Sequence, residues 1–354
     1  MSIPEQVLSP QAFLNALHEG GVALDVRSPS EHAQGHLPGA ESFPLFSDAE
    51  RAQVGTEYTQ VGKQEAVELG LDLVGTKMRE LVVKARALFE AQGTRRPLLI
   101  HCWRGGMRSE SVDWLLRTAG IPTRRCEGGY KACRAVMRQA LGAPRNYMVL
   151  GGMTGTAKTE VLRALARRGE HVLDLEGLAR HYGSAFGNLD RHTQPTTEQF
   201  ANDLAFAICA LKDAPATESG VVWVENESRQ IGKAYMPEMF HKRLKQAPVM
   251  EIERTEDDRI AHLLAMYGGA SREGLAAAFR RIRTKLGGQH AQAAVEHVMA
   301  GDLAAAARIA LTYYDKTYQH GLDQRVRRHP VDGRGLDPDR TATRCLETLA
   351  ALNV

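Results

Sequence analysis

The chain contains no apolar run of about eighteen residues, so no segment reads as a membrane-spanning helix. Its opening, Met1-Ser2-Ile3-Pro4-Glu5-Gln6, lacks the basic start and apolar centre of a secretory signal. Cysteine is sparse: five residues, an odd number, with no CxxC pair. That speaks against a disulfide framework and a structural zinc site, and fits a reducing cytoplasm. Strong charge of one sign is also missing. A net charge of +3 does not by itself indicate a nucleic-acid partner, so any basic surface must be local. There is no internal repeat.

What is present is ordinary globular composition, 43% apolar and 25% charged, over 354 residues. That length allows two domains, each burying its own core. Apolar strand-like runs alternate with helical spacing, which predicts an α/β fold with mainly parallel sheets. In residues 7–140, helices are predicted over 10–18, 30–34, 48–54, 64–92, 110–116 and 130–141. Strands are predicted over 22–27, 41–44, 98–101 and 124–127. Leu141-Gly142-Ala143-Pro144-Arg145-Asn146 breaks both periods and reads as a linker. The alternation restarts with strands over 147–150, 171–175 and 221–224 and helices over 158–168 and 197–211. From Asp257 onward the chain reads as mostly helical, Ala-rich at 275–286 and 291–314. The second domain is thus placed at 146–354.

Two loops stand out. The first is His101-Cys102-Trp103-Arg104-Gly105-Gly106-Met107-Arg108-Ser109, between Pro97-Leu98-Leu99-Ile100 and a helical stretch. A strand–loop–helix turn aims backbone N–H groups and a helix N-terminus at Cys102. With Arg104 and Arg108 nearby, these surroundings favour the thiolate. Such a cysteine is a nucleophile or a carrier of a transferable atom. Five residues separate Cys102 from Arg108 and Ser109 follows, which is also the spacing of cysteine phosphatases.

The second loop is Gly151-Gly152-Met153-Thr154-Gly155-Thr156-Ala157-Lys158-Thr159, after the apolar Tyr147-Met148-Val149-Leu150. From Gly152 it resembles the Walker A pattern of P-loop proteins, with Gly152, Thr154, Gly155, Lys158 and Thr159 as the diphosphate-binding set. Lys158 then binds the terminal phosphates, and the Thr159 hydroxyl is the expected Mg²⁺ ligand. Ala157 stands where glycine is usual. Val221-Val222-Trp223-Val224-Glu225-Asn226-Glu227 ends a buried strand in acid, where Glu225 or Glu227 could orient metal-bound water or act as base. The loop specifies a phosphate ligand. It does not decide between a nucleotide and another diphosphate.

The first region resembles the rhodanese family. Leu24-Asp25-Val26-Arg27 with Glu31, Gly35-His36-Leu37-Pro38-Gly39-Ala40, Cys102 to Ser109 and Glu127-Gly128-Gly129-Tyr130 occur in that family's order. The resemblance implies that Cys102 carries sulfur or selenium, with Arg104, Gly105, Gly106, Met107 and Arg108 as its anion-binding loop. A rhodanese-like domain followed by a P-loop NTPase-like α/β domain with a helical C-terminal portion resembles the tRNA 2-selenouridine synthase family. Glu225-Asn226-Glu227-Ser228-Arg229-Gln230-Ile231-Gly232 and Tyr313-Tyr314-Asp315-Lys316-Thr317-Tyr318 also match it. The resemblance implies replacement of sulfur by selenium in wobble 2-thiouridine of tRNA, with selenophosphate as donor. It also implies transfer of a geranyl group from geranyl diphosphate, so both donors are substrates and no tightly bound cofactor is expected. Arg280, Arg281, Arg283 and Lys285 are the candidate tRNA contacts, joined by a cluster at 325–329 and by Tyr313, Tyr314 and Tyr318 as stacking partners. A nucleotide-dependent sulfurtransferase, a cysteine phosphatase and a regulatory binding module stay open beside that reading.

Overall fold

The computed structural model describes residues 6–93, 96–181, 193–211, 217, 219–322 and 327–352. The chain divides into two compact units, Met1–Ala140 and Leu141–Val354. Among the described residues, no helix is long and apolar enough to cross a membrane.

The first unit carries β1 (Val7–Leu8), α1 (Pro10–His18), β2 (Ala23–Asp25), α2 (Pro29–Gln34), β3 (Glu41–Ser42), α3 (Asp48–Gln60), α4 (Lys63–Gly75), α5 (Met78–Ala91), β4 (Leu98–His101), α6 (Met107–Thr118), β5 (Thr123–Cys126) and α7 (Gly129–Gly142). Its sheet has the order β1-β5-β4-β2-β3 and every pairing is parallel. Central β4 is buried along its whole length, which is why it reads as a continuous apolar run. α1 starts where Ser9 accepts the Ala12 N–H and Pro10 takes the first position, and it buries Phe13, Leu14 and Leu17. The long helical segment after Phe46 is three helices. Gly62 precedes α4, and Thr76-Lys77 separates α4 from α5. α5 buries Leu81 and Ala85 in this core, and Val54 of α3 with Leu73 and Val74 of α4 pack against it half-buried.

The second unit carries β6 (Tyr147–Gly151), α8 (Lys158–Arg167), β7 (His171–Leu173), α9 (Leu175–Ala179), α10 (Thr197–Ala210), β8 (Val222–Glu225), the hairpin β9 (Gln230–Ile231) and β10 (Ala234–Tyr235), α11 (Glu238–Gln246) and β11 (Val249–Glu253). Then come α12 (Glu256–Tyr267), α13 (Arg272–Arg281), α14 (Arg283–Leu286), α15 (Gly288–Ala300), α16 (Leu303–Leu322), β12 (Arg328–Asp332) and α17 (Pro338–Ala351). The sheet order is β12-β11-β6-β8-β7, again parallel throughout. α8 and α17 bury Val161, Leu162, Leu165, Ala342, Cys345 and Leu349 against it.

The helical portion predicted from Asp257 is there as α12–α16, but the chain then returns to the sheet as β12. The helices are an insertion between neighbouring strands β11 and β12, with their own core of Leu275, Phe279, Ile282, Ala294, Val298, Ala306 and Ala310. The helical setting expected for the basic cluster at 325–329 is thereby corrected, while Arg327 and Arg328 are exposed. Arg325 and Val326 lie outside the described residues. Arg328 and His329 belong to β12, where Arg328 is bonded to Glu251 of β11, so neither presents a helical basic face.

Candidate functional site: two anion-binding loops

The first loop begins where β4 ends. Cys102 is 4% exposed, and its Sγ lies 3.3 Å from the Ser109 hydroxyl of α6. Among the described hydrogen bonds, the amides of residues 103–108 have no acceptor. The loop carbonyls, by contrast, are occupied: Tyr130 N–H donates to Cys102 O at 2.9 Å and Lys131 N–H to Trp103 O at 3.1 Å. Turning the carbonyls away leaves donors around the sulfur, which is what an anion requires.

Two glycine turns interlock to hold this shape. Gly105 has φ +71, and a Cβ there would come within 2.7 Å of Cys126 O and 2.9 Å of Gly128 N. Gly129 has φ +59, and its Cβ would lie 2.4 Å from Cys102 O and 2.6 Å from Gly105 N. Backbone passes backbone at both points, so only glycine serves.

Charged groups brace the loop from beneath. Arg27 is 1% exposed, donates to Asp25 and to Gly35 O, and places its guanidinium 4.0 Å from the Tyr130 ring centre. Burial would raise the Asp25 carboxyl, but nearby His101 and the bonds from Arg27 outweigh it and hold the group below its ordinary range. Arg108 is bonded to Glu31 at 2.7 Å. Burial opposes ionisation of Glu31 too, and Arg108 overcomes it. Arg104 is exposed and, among the described residues, makes no ion pair. Gly105 and Gly106 belong to the loop, while Met107 is 48% exposed at the start of α6.

The second loop spans β6 and α8. Ala157 has φ 62 and ψ 35, the left-handed region, which explains why glycine is usual there. Lys158 folds back, its Nζ 2.8 Å from Gly152 O. The insertion helices pin the loop. Arg259 of α12, 5% exposed, donates to Thr154 O at 2.7 Å and pairs with Asp315 of α16. A Cβ on Gly155 would lie 2.8 Å from Arg259 O. The Tyr318 hydroxyl accepts the Gly152 N–H and lies 3.2 Å from Asn226 Nδ2.

Two carboxylates meet at the Thr159 hydroxyl, and the charge of a third, Glu227, acts on both. Thr159 Oγ1 lies 3.0 Å from Glu176 and 3.2 Å from Glu225, and Glu225 also accepts the Glu176 N–H. Burial pushes Glu176 up to about 8, with the charge of Glu227 adding to it against Lys158 and Thr159. Burial raises Glu225 well above the carboxylate range, reinforced by Glu176 and Asp174. Burial also raises Glu227, opposed by Lys158. Among the described residues, no group of three or more His, Cys, Asp or Glu is arranged to hold a metal ion alone. Magnesium usually takes one or two carboxylates and completes its shell with phosphate oxygens and water. The hydroxyl and the crowded carboxylates here fit that partial set.

A cavity of about 570 Å³ opens from this loop. Lys158, Thr159, Glu176 and Glu227 line its polar end, and Leu264, Leu275, Phe279, Val298 and Leu311 of the insertion line the rest. Tyr313, Tyr314 and Tyr318, expected to stack on RNA, line this cavity. Arg280, Arg281, Arg283 and Lys285 are exposed on α13 and α14, as a surface contact requires. Sequence reasoning missed Glu176 and Arg259. Neither sits at a fixed spacing from the loop it serves.

Residues 145–337 match the tRNA 2-selenouridine synthase AAA domain, and residues 9–136 match the rhodanese-like domain. A tRNA 2-selenouridine synthase of Cupriavidus necator is 39% identical over 272 residues, covering 76% of this chain and 70% of that protein. One from Shewanella piezotolerans is 33% identical over 359 residues, covering 92% of this chain and 95% of that protein. One from Bordetella bronchiseptica is 41% identical over 250 residues, covering 69% and 65%.

Proposed function

The chain belongs to the tRNA 2-selenouridine synthase family, and on that premise we propose that it exchanges sulfur for selenium in wobble 2-thiouridine of tRNA by way of an S-geranyl intermediate. The second loop binds geranyl diphosphate. The thiocarbonyl sulfur attacks the first geranyl carbon, the carbon–oxygen bond breaks, diphosphate departs and the N3 proton of the base is lost. Lys158 and the loop amides take up the charge that grows on the departing diphosphate. A Mg²⁺ ion held by Thr159, with the carboxylates behind it, would supply further charge there.

The first loop serves the selenium step. Selenium in selenophosphate is already at the selenide level. Carrying it as a cysteine perselenide would demand a two-electron oxidation, whereas attack by the Cys102 thiolate on phosphorus demands none. In that step the sulfur–phosphorus bond forms, the phosphorus–selenium bond breaks, and selenide goes to C2 of the base. Geranyl thiolate leaves C2, and water then releases phosphate from Cys102. The Ser109 hydroxyl beside Cys102 Sγ suits a thiolate that must later act as leaving group. Arg104 and Arg108 bind the donor's phosphate face.

The observation that carries this reading is the cavity. A nucleotide needs polar partners for its base and sugar. Beside polar groups such as Asn226, His262 and Lys285, this cavity joins the loop residues Lys158 and Thr159 to a run of apolar side chains that includes Leu264, Leu275, Phe279, Val298 and Leu311, which suits a diphosphate bearing a hydrocarbon tail. The test is nucleoside mass spectrometry of 2-thiouridine-bearing tRNA incubated with the protein, each donor omitted in turn. Geranylated nucleoside without selenophosphate, and seleno nucleoside only with both donors, is the expected result. Unchanged 2-thiouridine with folded protein would favour the nucleotide-dependent sulfurtransferase.

A further inference from the structure

The apolar part of the cavity is laid out along one face of α16. Leu303, Ala306, Ala307, Ala310, Tyr314 and Tyr318 all line it, at the three- and four-residue spacing that keeps them on one side of a helix. Tyr318 marks the phosphate end, because its hydroxyl is bonded to Gly152. Leu303 lies fifteen residues earlier, about 22 Å away at the rise of an α-helix. A ten-carbon prenyl tail covers roughly half that distance at carbon–carbon bond spacing.

The opposite wall is bulky: Leu275 and Phe279 of α13 and Val298 of α15. Beyond Tyr314, α16 lines the cavity with Leu311, then with alanine at 310, 307 and 306 before Leu303. Ala306 and Ala310 are 2% and 6% exposed and belong to the same packed core as those residues. At these positions no side chain extends past Cβ into the cavity that they line.

We propose that Ala310, Ala307 and Ala306 of α16 determine the length of prenyl tail the site accepts, each setting the depth at which a tail is stopped. The proposal rests on the isoprenoid diphosphate reading above and names the residues that select its substrate. Tails longer than ten carbons fit the native protein. A larger side chain at Ala310, eight residues from Tyr318, stops a tail soon after its tenth carbon. One at Ala306, four residues deeper, spares fifteen carbons.

The test uses the full chain and the unreactive geranyl and farnesyl thiolodiphosphates as probes, with dissociation constants from titration calorimetry. Each additional buried methylene tightens binding about fourfold, so the native protein is expected to bind farnesyl at least tenfold more tightly than geranyl. Ala310→Leu abolishes or reverses that preference while geranyl affinity stays within about threefold. Ala306→Leu keeps it. Equal farnesyl preference in native and Ala310→Leu protein, or none in native protein, overturns the proposal. Failure of native protein to bind either probe overturns the isoprenoid reading, and the proposal with it. Should Ala310→Leu not fold by thermal melting, Ala310→Val, a smaller side chain at the same depth, carries the same test.

Discussion

The two loops share an architecture, strand–turn–helix, yet they are held in opposite ways. The Cys102 loop is braced by its own unit through backbone passing backbone at Gly105, Gly128 and Gly129. The Gly151–Thr159 loop is braced by long side chains, Arg259, Asp315 and Tyr318, delivered from an insertion more than a hundred residues later. Their electrostatics are opposed too. Around Cys102, arginines keep Asp25 and Glu31 ionised. Around Thr159, burial and mutual repulsion keep Glu176, Glu225 and Glu227 inclined to hold protons. The first site is a fixed anion cradle. The second sets buried carboxylates that favour the protonated form beside the loop lysine, Lys158.

If the first loop is held by backbone, one methyl group should wreck it. Gly129→Ala places a Cβ against Cys102 O and Gly105 N at a positive φ. Selenium transfer should fall at least a hundredfold, and the first unit should lose on the order of 3 kcal/mol in denaturant unfolding. Geranylation in the same protein should persist. Parallel loss of both reactions would mean the loops are not separately built.

If the second loop is held by side chains, removing one should loosen it without destroying the fold. Arg259→Met frees Thr154 O and Asp315, and because Asp315 is 32% exposed the cost should be modest, about 2 kcal/mol. The KM for geranyl diphosphate should rise about tenfold, with selenation of already geranylated tRNA unchanged. A KM at the native value would detach the insertion from phosphate binding.

These differences also explain what the sequence revealed. β4 and β6 were plain because buried parallel strands are apolar throughout, and α1 because Ser9-Pro10 announces a helix start. The Cys102 loop was readable because its parts lie close together or at glycine-marked turns. β12 was hidden: it is an edge strand, Arg-His-Pro-Val-Asp, with only Val331 buried. Glu176 was hidden because it reaches Thr159 only through the order β6-β8-β7. The tyrosines of α16 were visible, but aromatic spacing alone cannot separate a cavity wall from an RNA-stacking surface.

The pH response sharpens the electrostatic contrast. Glu176 rises from 4.5 to about 8 in the fold. The folded protein therefore holds a proton that the unfolded chain releases, and stability of the second unit should fall as pH climbs through that window. Glu176→Gln should flatten the decline in thermal melts between those pH values. An unchanged slope would show that Glu176 ionises freely. The smallest effect expected is at Ala157: Ala157→Gly relieves a left-handed alanine and should stabilise by about 1 kcal/mol or less, since glycine also loosens the unfolded chain. A destabilised variant would contradict the strain assigned there.

The central claim is that the two loops divide the reaction. The direct test is nucleoside mass spectrometry of 2-thiouridine tRNA with both donors, comparing Cys102→Ser with Lys158→Ala. Geranylated nucleoside accumulating with Cys102→Ser, and neither product with Lys158→Ala unless pre-geranylated tRNA is supplied, is the predicted result. Loss of geranylation in Cys102→Ser, or normal geranylation in Lys158→Ala, would contradict the division.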